Sequence, residues 1–392
     1  MLDVLLVTRA CTEHYPPTVN QANLLAGRGL SVGILDLSQA GVIPAVDPVV
    51  RRWRSHSAWN PKLEAPRSLF RRCADFWSFL RACRRIIDRE RPKVILAYDI
   101  HGCAFVSPSR AAYQTVYHFH EFSEVEPDMS IGSRWALRKA HRQSPNADLV
   151  VCADAIRAAL FQKEARLSAM PLVVMNCTRR MEQVPSSPLR QQLAEMGWSA
   201  GLVVCYLGSV GRNQGLVASA QSMRYWPPDS VFVLVGPCSR SLEETIRSHA
   251  CAAGAGSRIF FLGARPHREA LALTAGADLG LALIGPSGDT KNVLYSAGAV
   301  NKRFEYMALG VPQVTNIGTG VTELMERTGC GICVDIKSPD QIGTAVAELL
   351  RNNELRVAMT RNARRWHLAE FYYERQFAPV LSWIEASVNG KR

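Results

Sequence analysis

The chain has 392 residues, a formal net charge of +12 and a hydrophobic content of 47%. This length exceeds what one hydrophobic core usually spans, so it predicts two domains and excludes a single small module. No apolar run reaches the roughly eighteen residues of a membrane-spanning helix, and the N-terminus lacks the basic region and cleavage site of a signal peptide. We therefore expect a soluble, non-secreted protein of the cytoplasm.

Apolar runs rich in Val, Ile and Leu recur through the first half of the chain with spacers of helical length. Continuous rather than alternating apolarity is typical of strands that are buried on both faces. This pattern predicts strands at residues 4–8, 32–37, 94–98, 115–120, 149–153 and 172–175.

Positive charge is concentrated in the segment from Arg51 to Lys93, which has thirteen Arg or Lys residues against four acidic ones. Trp and Phe residues are interleaved with the basic ones, a mixture that suits an anionic membrane surface or nucleic acid. The alternative is an arginine-coated helix with its aromatic side chains in the core. Because no nucleic-acid motif accompanies the segment, we expect no nucleic-acid partner and keep peripheral membrane contact through residues 51–93 as a hypothesis.

A second series of apolar runs predicts strands at residues 202–208, 231–236, 259–263, 279–284, 312–316 and 331–334. Two sets of about six such strands indicate two doubly wound, Rossmann-like α/β domains. The sequence PSSP at residues 185–188 predicts the hinge between them. We predict domains at 1–184 and 185–370, with a C-terminal helix at 371–392 that packs back on the first domain.

The eleven cysteines are scattered, and several lie in apolar runs, as is typical of buried thiols in a reducing compartment. Cys330 and Cys333 have the CxxC spacing of a metal or redox site. No second pair or nearby histidine completes such a site, so we predict two ordinary thiols and no bound metal.

The segment NKRFEYMAL at residues 301–309 places a lysine and a glutamate on a short predicted helix. Asn301 is expected to cap its first turn, whereas Lys302 there opposes the helix dipole unless an anion binds at the same end. Glu305 follows one turn later, and a carboxylate is a good acceptor for two adjacent hydroxyls. A ligand that has phosphates next to two adjacent hydroxyls fits both side chains, and a nucleotide with its ribose is such a ligand. The alternative is a surface i,i+3 ion pair on an ordinary helix.

The sequence NKRFEYMALGVPQV closely resembles the signature of the retaining GT-B glycosyltransferases of family four, the glycosyl transferases group 1 type. The resemblance continues in CYLGSVGRNQGL (205–216), VFVLVGP (231–237), residues 259–284, GCGICVD (329–335) and residues 349–364, and more weakly in YHFHEFSE (117–124). It implies the GT-B architecture, with two Rossmann-like domains facing across a cleft. It also implies transfer of a sugar from a nucleoside-diphosphate donor with retention of anomeric configuration.

Carried over to this sequence, the resemblance assigns Glu305 to the ribose hydroxyls. The family's other glutamate falls on Ala297, so we consider Asp289, Asn292 and Tyr295 as substitutes that touch the sugar. The family's arginine and lysine for the diphosphate fall on Ser209 and Gln214, and we expect Arg212 and Lys302 to replace them. The remaining donor-binding candidates are glycines that allow close backbone approach to phosphate, together with the predicted cap: Gly208, Gly211, Gly236, Gly318 and Asn301.

In the first domain, His120 ends a predicted strand at its carboxyl edge, and His118 points the same way by strand alternation. The resemblance places a histidine near the reacting sugar, so His120 joins Arg212, Lys302 and Glu305 as a catalytic candidate. Glu121 and Glu124 follow as acceptor-binding candidates. A lone histidine is more often a structural residue, and that alternative stays open.

The implied mechanism stabilises charge on the leaving diphosphate through Lys302, Arg212 and helix N–H groups. The sequence contains no Asp-x-Asp motif, which favours cationic side chains over a divalent ion, and we predict no obligatory metal or other cofactor. The acceptor is expected to be a saccharide or a lipid-linked saccharide. Three alternatives remain: a sugar-nucleotide epimerase, an inactive binding or scaffold subunit, and a nucleic-acid binder.

Overall fold

The computed structural model of the chain describes residues 1–38, 45–57, 68–108, 112–126, 129–198, 201–285 and 290–390. The chain divides into two compact units: Met1–Arg179 together with the residues from Tyr373 onward, and Arg180–Tyr372. It thus passes between units after Arg179 and Tyr372, whereas the sequence places these boundaries at residues 184 and 370. Asp289 and the part of the basic segment at 58–67 lie outside the described residues.

Among the described residues, the first unit is built on a parallel sheet of seven strands in the order β3-β2-β1-β4-β5-β6-β7. The strands are β1 (Val4–Val7), β2 (Val32–Ser38), β3 (Arg51–Ser57), β4 (Val94–Tyr98), β5 (Gln114–Phe119), β6 (Leu149–Cys152) and β7 (Leu172–Val173). Its first five helices are α1 (Pro16–Gly27), α2 (Leu69–Glu90), α3 (Asp99–Phe105), α4 (Ile131–Gln143) and α5 (Ala155–Ala165), with short 3-10 turns at Thr12–His14 and Ser144–Asn146.

Strand β3 is the strand that the sequence analysis missed. Its sequence, RRWRSHS, has no apolar run, because it lies at the edge of the sheet where only β2 pairs with it. Arg52 on this strand forms ion pairs with Glu13 and with the buried Asp36 of β2. Ion pairs of Arg52 therefore add to the backbone pairing with β2 and to the packing of Trp53 against the core.

Helix α2 carries much of the positive charge of the basic segment. Its apolar residues Phe79, Leu80, Cys83 and Ile86 recur at helical spacing and are buried in the core of the first unit. The helix begins after Ser68, whose side chain accepts a hydrogen bond from the Arg71 N–H, and ends at Arg91 in the left-handed conformation. The alternative of an arginine-coated helix with core aromatics is therefore correct for part of this segment.

The second unit has, within the described residues, a parallel sheet of six strands in the order β10-β9-β8-β11-β12-β13. The strands are β8 (Leu202–Leu207), β9 (Ser230–Val235), β10 (Ile259–Gly263), β11 (Leu279–Ala282), β12 (Gln313–Asn316) and β13 (Gly331–Val334). All six lie at predicted positions, and the order is that of a doubly wound nucleotide-binding sheet. Between them lie α6 (Leu189–Glu195), α7 (Leu216–Ser222), α8 (Arg240–Ala252), α9 (His267–Thr274), α10 (Lys291–Leu294), α11 (Asn301–Leu309) and α12 (Val321–Thr328), with 3-10 turns at Met223–Tyr225 and Gly256–Arg258.

The C-terminal part is helical, as predicted: α13 (Pro339–Arg351), α14 (Asn353–Ala369) and α15 (Tyr373–Val388). Helix α15 belongs to the first unit, where Tyr373, Phe377 and Ile384 join a core cluster with the strands β1, β2 and β4. Over the described part of the chain, no helix combines the length and the apolarity that a membrane crossing requires.

Candidate functional site

Helix α11 is short and almost wholly buried, although three of its first five residues are charged. Lys302, Arg303 and Glu305 all have buried side chains, so the alternative of a solvated surface ion pair is wrong. The residue that caps the helix is Val300, which has extended backbone and makes no side-chain capping bond. The prediction that Asn301 caps the helix is therefore also wrong, because Asn301 is already its first helical residue.

Lys302 lies at the carboxyl ends of the strands of the second sheet. Its Nζ donates hydrogen bonds to the Tyr206 hydroxyl at 2.8 Å and to Gln214 Oε1 at 3.2 Å, and it lies 3.9 Å from the centre of the Tyr206 ring. Burial lowers the pKa of this ammonium to about 7, against the opposing effect of Glu305. An anion placed beside Lys302 would favour its charged form.

Two glycines at strand ends let the backbone of the loops after β8 and β9 pack closely beside Lys302. Gly208 has φ of 116°, and a Cβ there would lie 3.6 Å from Lys302 Cε. Gly236 has φ of 151°, and a Cβ there would meet the Gly208 carbonyl oxygen at 1.9 Å. The loops after β8 and β9 can approach this closely only with glycine at Gly236. The structure thus brings together Gly208, Gln214, Gly236 and Lys302, which the sequence analysis had selected.

Glu305 faces a residue that the sequence analysis missed. Its Oε1 lies 2.7 Å from Nε2 of His267, the first residue of α9. The Glu305 side chain is 7% exposed and that of His267 is 48% exposed. Burial acts to lower the pKa of His267, but the hydrogen bond to Glu305 and the negative charge of this carboxylate together outweigh it and raise that pKa above its usual value. The sequence signal was faint: one histidine after a proline at the start of an apolar helix.

Arg303 is the second residue that the sequence analysis missed. Its guanidinium donates to Thr315 Oγ1 at 3.1 Å, to the Ser296 carbonyl at 2.7 Å and to Asn316 Oδ1 at 2.9 Å. Asn316 Oδ1 also accepts from the Ile284 N–H at 3.2 Å. The fully buried Arg303 therefore ties the ends of β11 and β12 to the segment that leads into α11.

The other predicted donor residues occupy different places. Arg212 and Ser209 are exposed in the loop after β8, and Gly211 lies beside Gln214. Gly318 precedes α12, where its carbonyl accepts the N–H groups of the first helical residues. Asn292 and Tyr295 are partly buried in and next to α10, and Asn301 is partly buried at the start of α11. Asp289 lies outside the described residues.

His118 and His120 form a buried pair in the first unit, with ring centres 4.3 Å apart, as strand alternation predicts. His120 Nε2 lies 3.1 Å from Thr18 Oγ1, and the Tyr98 ring stacks on its imidazole. His118 Nδ1 lies 3.0 Å from Gln21 Nε2. Burial lowers the pKa of His120 to about 4, so this imidazole is neutral at pH 7.

Asp99 holds the backbone that follows β5. Its Oδ1 accepts the His120 N–H at 2.9 Å and the Glu121 N–H at 3.3 Å, and Arg157 donates to the His120 carbonyl at 3.0 Å. Asp99 has a left-handed backbone with φ of 51°. Burial, and then the negative charge of Glu121, raise the pKa of Asp99 to about 7. Of the predicted acceptor residues in this segment, Glu121 is exposed and Glu124 is partly buried.

The basic segment forms a groove between β3 and α2. Arg54, Arg81 and Arg85 line a cavity of about 660 Å³ together with Phe70 and Trp77. Phe70 is 86% exposed and Trp77 is 56% exposed. Large apolar side chains that reach solvent among guanidinium groups are typical of an interaction surface.

The CxxC pair takes part in ordinary packing. Cys330 is buried, with Sγ 3.1 Å from Thr328 Oγ1, and burial raises its pKa to about 11. In the described ranges, no group of three His, Cys, Asp or Glu side chains is arranged to hold a metal ion.

Comparison with known proteins gives three findings. Residues 199–366 match the family described as glycosyl transferases group 1. The GDP-mannose-dependent alpha-(1-6)-phosphatidylinositol monomannoside mannosyltransferase of Mycobacterium tuberculosis is 28% identical over 184 residues, which are 46% of this chain and 46% of that protein. The alignment thus spans about half the length of this curated relative.

Solved structures match over nearly the whole chain. Sucrose-phosphate synthase from Thermosynechococcus elongatus has a TM-score of 0.74 at 15% identity, over 100% of both chains. Anabaena Alr3699/HepE in complex with UDP and glucose has a TM-score of 0.71 at 14% identity, over 98% of this chain and 100% of that one. At such identities the likeness establishes a common fold.

Proposed function

Residues 199–366 belong to the glycosyl transferases group 1 family and the chain has the GT-B fold, and from this premise we propose that it transfers a sugar from a nucleoside-diphosphate donor to a hydroxyl acceptor. The predictions of the family type and of the GT-B fold are thereby confirmed, and retention stays a proposal. The observation that carries the proposal is the burial of Lys302 and Glu305 one turn apart on α11, at the carboxyl edge of a nucleotide-binding sheet.

The diphosphate is assigned to Lys302, with Gly208, Gly236 and the amide of Gln214 on the neighbouring loops. Lys302 is buried and has a lowered pKa, so it gains from an anionic partner more than a solvated lysine would. Arg212 is exposed on the same loop as Gln214 and is the second cation of the proposal. Charge that develops on the leaving diphosphate is stabilised by these groups.

The pentose of the donor is assigned to Glu305. A buried carboxylate needs hydrogen-bond donors, and two adjacent hydroxyls supply them. Asn301, Gly211, Gly318, Asn292, Tyr295 and Asp289 stay proposed contacts to the donor, and Ser209 stays one through its backbone.

Transfer with retention and without an obligatory divalent ion remains part of the proposal. Lys302 and Arg212 supply positive charge where a metal would otherwise be needed. In the first unit, His120 is neutral at pH 7 and is held by Thr18, Asp99 and Arg157, so it can offer a hydrogen bond in a fixed direction. Glu121 and Glu124 are the proposed acceptor contacts.

The acceptor is proposed to be a saccharide or a lipid-linked saccharide at the cytoplasmic face of a membrane. The relative from Mycobacterium tuberculosis is named for a phosphatidylinositol monomannoside acceptor. The groove of Arg54, Arg81 and Arg85 with the exposed Phe70 and Trp77 supports contact with an anionic bilayer.

A vesicle experiment tests this membrane contact. The protein is expected to sediment with vesicles of phosphatidylglycerol at low salt, and a Phe70→Ser/Trp77→Ser variant should lose at least half of this binding. Val357→Ser, an exposed apolar position in the second unit, serves as the control. Equal sedimentation of all three proteins would contradict the assignment.

The central test is a thermal-shift screen with UDP-, GDP-, ADP- and dTDP-sugars. We expect one nucleotide class to stabilise the protein, and Glu305→Ala to remove that shift. Glu348→Ala, an exposed carboxylate on α13, should retain it. If the protein binds no nucleotide sugar, the proposal is contradicted. If it binds donors but neither hydrolyses nor transfers them, it is a binding subunit.

A further inference from the structure

The pairing of His267 with Glu305 is a feature that the proposed function does not use. The two residues come from different helices, α9 and α11, and are 38 positions apart in sequence. Their side chains nevertheless meet at 2.7 Å. A histidine at the first position of α9 serves no capping purpose, because Pro266 precedes it and the helix has no side-chain cap bond.

The two side chains differ in exposure. Glu305 is 7% exposed, whereas His267 is 48% exposed. A hydroxyl that reaches the buried carboxylate therefore finds one of its oxygens already paired with the imidazole. The same hydroxyl meets a carboxylate whose rotamer is already fixed.

A fixed carboxylate is a better receptor for a diol than a free one. A glutamate has three rotatable side-chain bonds, and ordering it on binding costs conformational free energy. Oε1 has two lone pairs and accepts only one of its hydrogen bonds from His267, so the other lone pair can accept a hydroxyl. The imidazole thus orients Glu305 without blocking it.

We propose that His267 is a positioning residue that holds the Glu305 carboxylate in the orientation for two adjacent hydroxyls, so that the site selects ribonucleotides over 2′-deoxyribonucleotides. This inference rests on the proposed function, because it needs a nucleotide pentose at Glu305. It assigns the selectivity to the pair of side chains rather than to Glu305 alone.

The selectivity follows from the geometry of the pair. With both carboxylate oxygens held in place, a ribose can donate from its 2′ and 3′ hydroxyls together. A 2′-deoxyribose leaves one buried charged acceptor without its partner, which is costly in a buried site. A mobile carboxylate could turn to follow the single remaining hydroxyl, and the difference between the two sugars would shrink.

The experiment compares the affinities of matched nucleotides by isothermal titration: UDP with 2′-deoxy-UDP, and GDP with 2′-deoxy-GDP. In the unaltered protein the ribonucleotide should bind about tenfold or more tightly. In His267→Ala this ratio should fall to about threefold or less. His267→Gln, which can place an amide N–H near the position of Nε2, should recover most of it.

A control variant and the pattern of outcomes distinguish the role of His267 from the proposed function. Arg268→Ala, an exposed neighbour on the same helix, should keep the ratio of the unaltered protein even if it weakens both ligands. If the unaltered protein binds nucleoside diphosphates but His267→Ala keeps the full ratio, the role of His267 is wrong while the proposed function stands. If the unaltered protein binds none of the four nucleotides, the proposed function fails, and this inference with it.

Discussion

Binding of a nucleoside diphosphate should draw a proton onto Lys302. Burial lowers the pKa of this ammonium to about 7 in the free protein. At pH 8 about one lysine in ten is then charged, following from a pKa one unit below the pH. A diphosphate beside Nζ favours the charged form, so binding should take up close to one proton, about 0.9 at most.

The same linkage predicts how affinity changes with pH. Since only the charged lysine attracts the anion, affinity should fall by up to about tenfold for each pH unit above the pKa of Lys302. The phosphates of the ligand do not obscure this trend, because their second pKa is near 6 and they are fully ionised above pH 8. The affinity should therefore decline between pH 8 and pH 9.

Isothermal titration in two buffers of different ionisation enthalpy, such as Tris and HEPES, measures the proton uptake. In Lys302→Met, which keeps most of the length of the side chain without its charge, proton uptake should fall to near zero and binding should weaken. Binding of a nucleoside diphosphate to the unaltered protein without proton uptake at pH 8 would refute the reasoning. So would an uptake that persists in Lys302→Met.

Three further outcomes follow from the described contacts. Gly236→Ala should destabilise the fold by about 3 kcal/mol or more in urea unfolding, because the new Cβ would meet the Gly208 carbonyl oxygen at 1.9 Å; an unchanged midpoint would contradict this. Arg303→Met should cost about 2–4 kcal/mol by removing the buried hydrogen bonds to Thr315, Ser296 and Asn316, and a neutral effect would show that the buried guanidinium is dispensable. Asp99 has a pKa raised from 3.8 to about 7, so its neutral carboxyl contributes stability that is full below pH 4 and is lost as the pH rises through 7. The unfolding free energy of Asp99→Asn should therefore fall less between pH 4 and pH 7 than that of the unaltered protein, and parallel curves would contradict the assignment.

The strands of both sheets could be predicted because central parallel strands are buried on both faces and read as continuous apolar runs. Strand β3 could not, because it is an edge strand whose sequence is rich in arginine and has no continuous apolar run. Its sequence therefore looked like part of a charged surface segment.

The candidate site was predicted in part. Lys302, Gln214, Gly208 and Gly236 come together as expected, because their positions follow from strand ends and from a recognisable motif. His267 could not be foreseen, since its role depends on a contact with Glu305 across 38 residues of sequence. The role of Arg303 could not be predicted either, because an arginine on a short helix usually lies at the surface and only tertiary packing shows that this one is buried.

The prediction that Asn301 caps helix α11 was wrong for a local reason. Val300, with extended backbone, occupies the capping position, and the helix begins one residue earlier than a side-chain cap at Asn301 would require. No side chain caps its first turn, and the Arg303 N–H donates to the Val300 carbonyl instead.

The most direct test of the account is a crystal structure of the protein with the nucleoside diphosphate that the thermal-shift screen selects. We predict a phosphate oxygen within hydrogen-bonding distance of Lys302 Nζ and the pentose hydroxyls on the Glu305 carboxylate, with the His267 contact retained. A nucleotide bound elsewhere, with the space beside Lys302 filled by protein side chains, would contradict it.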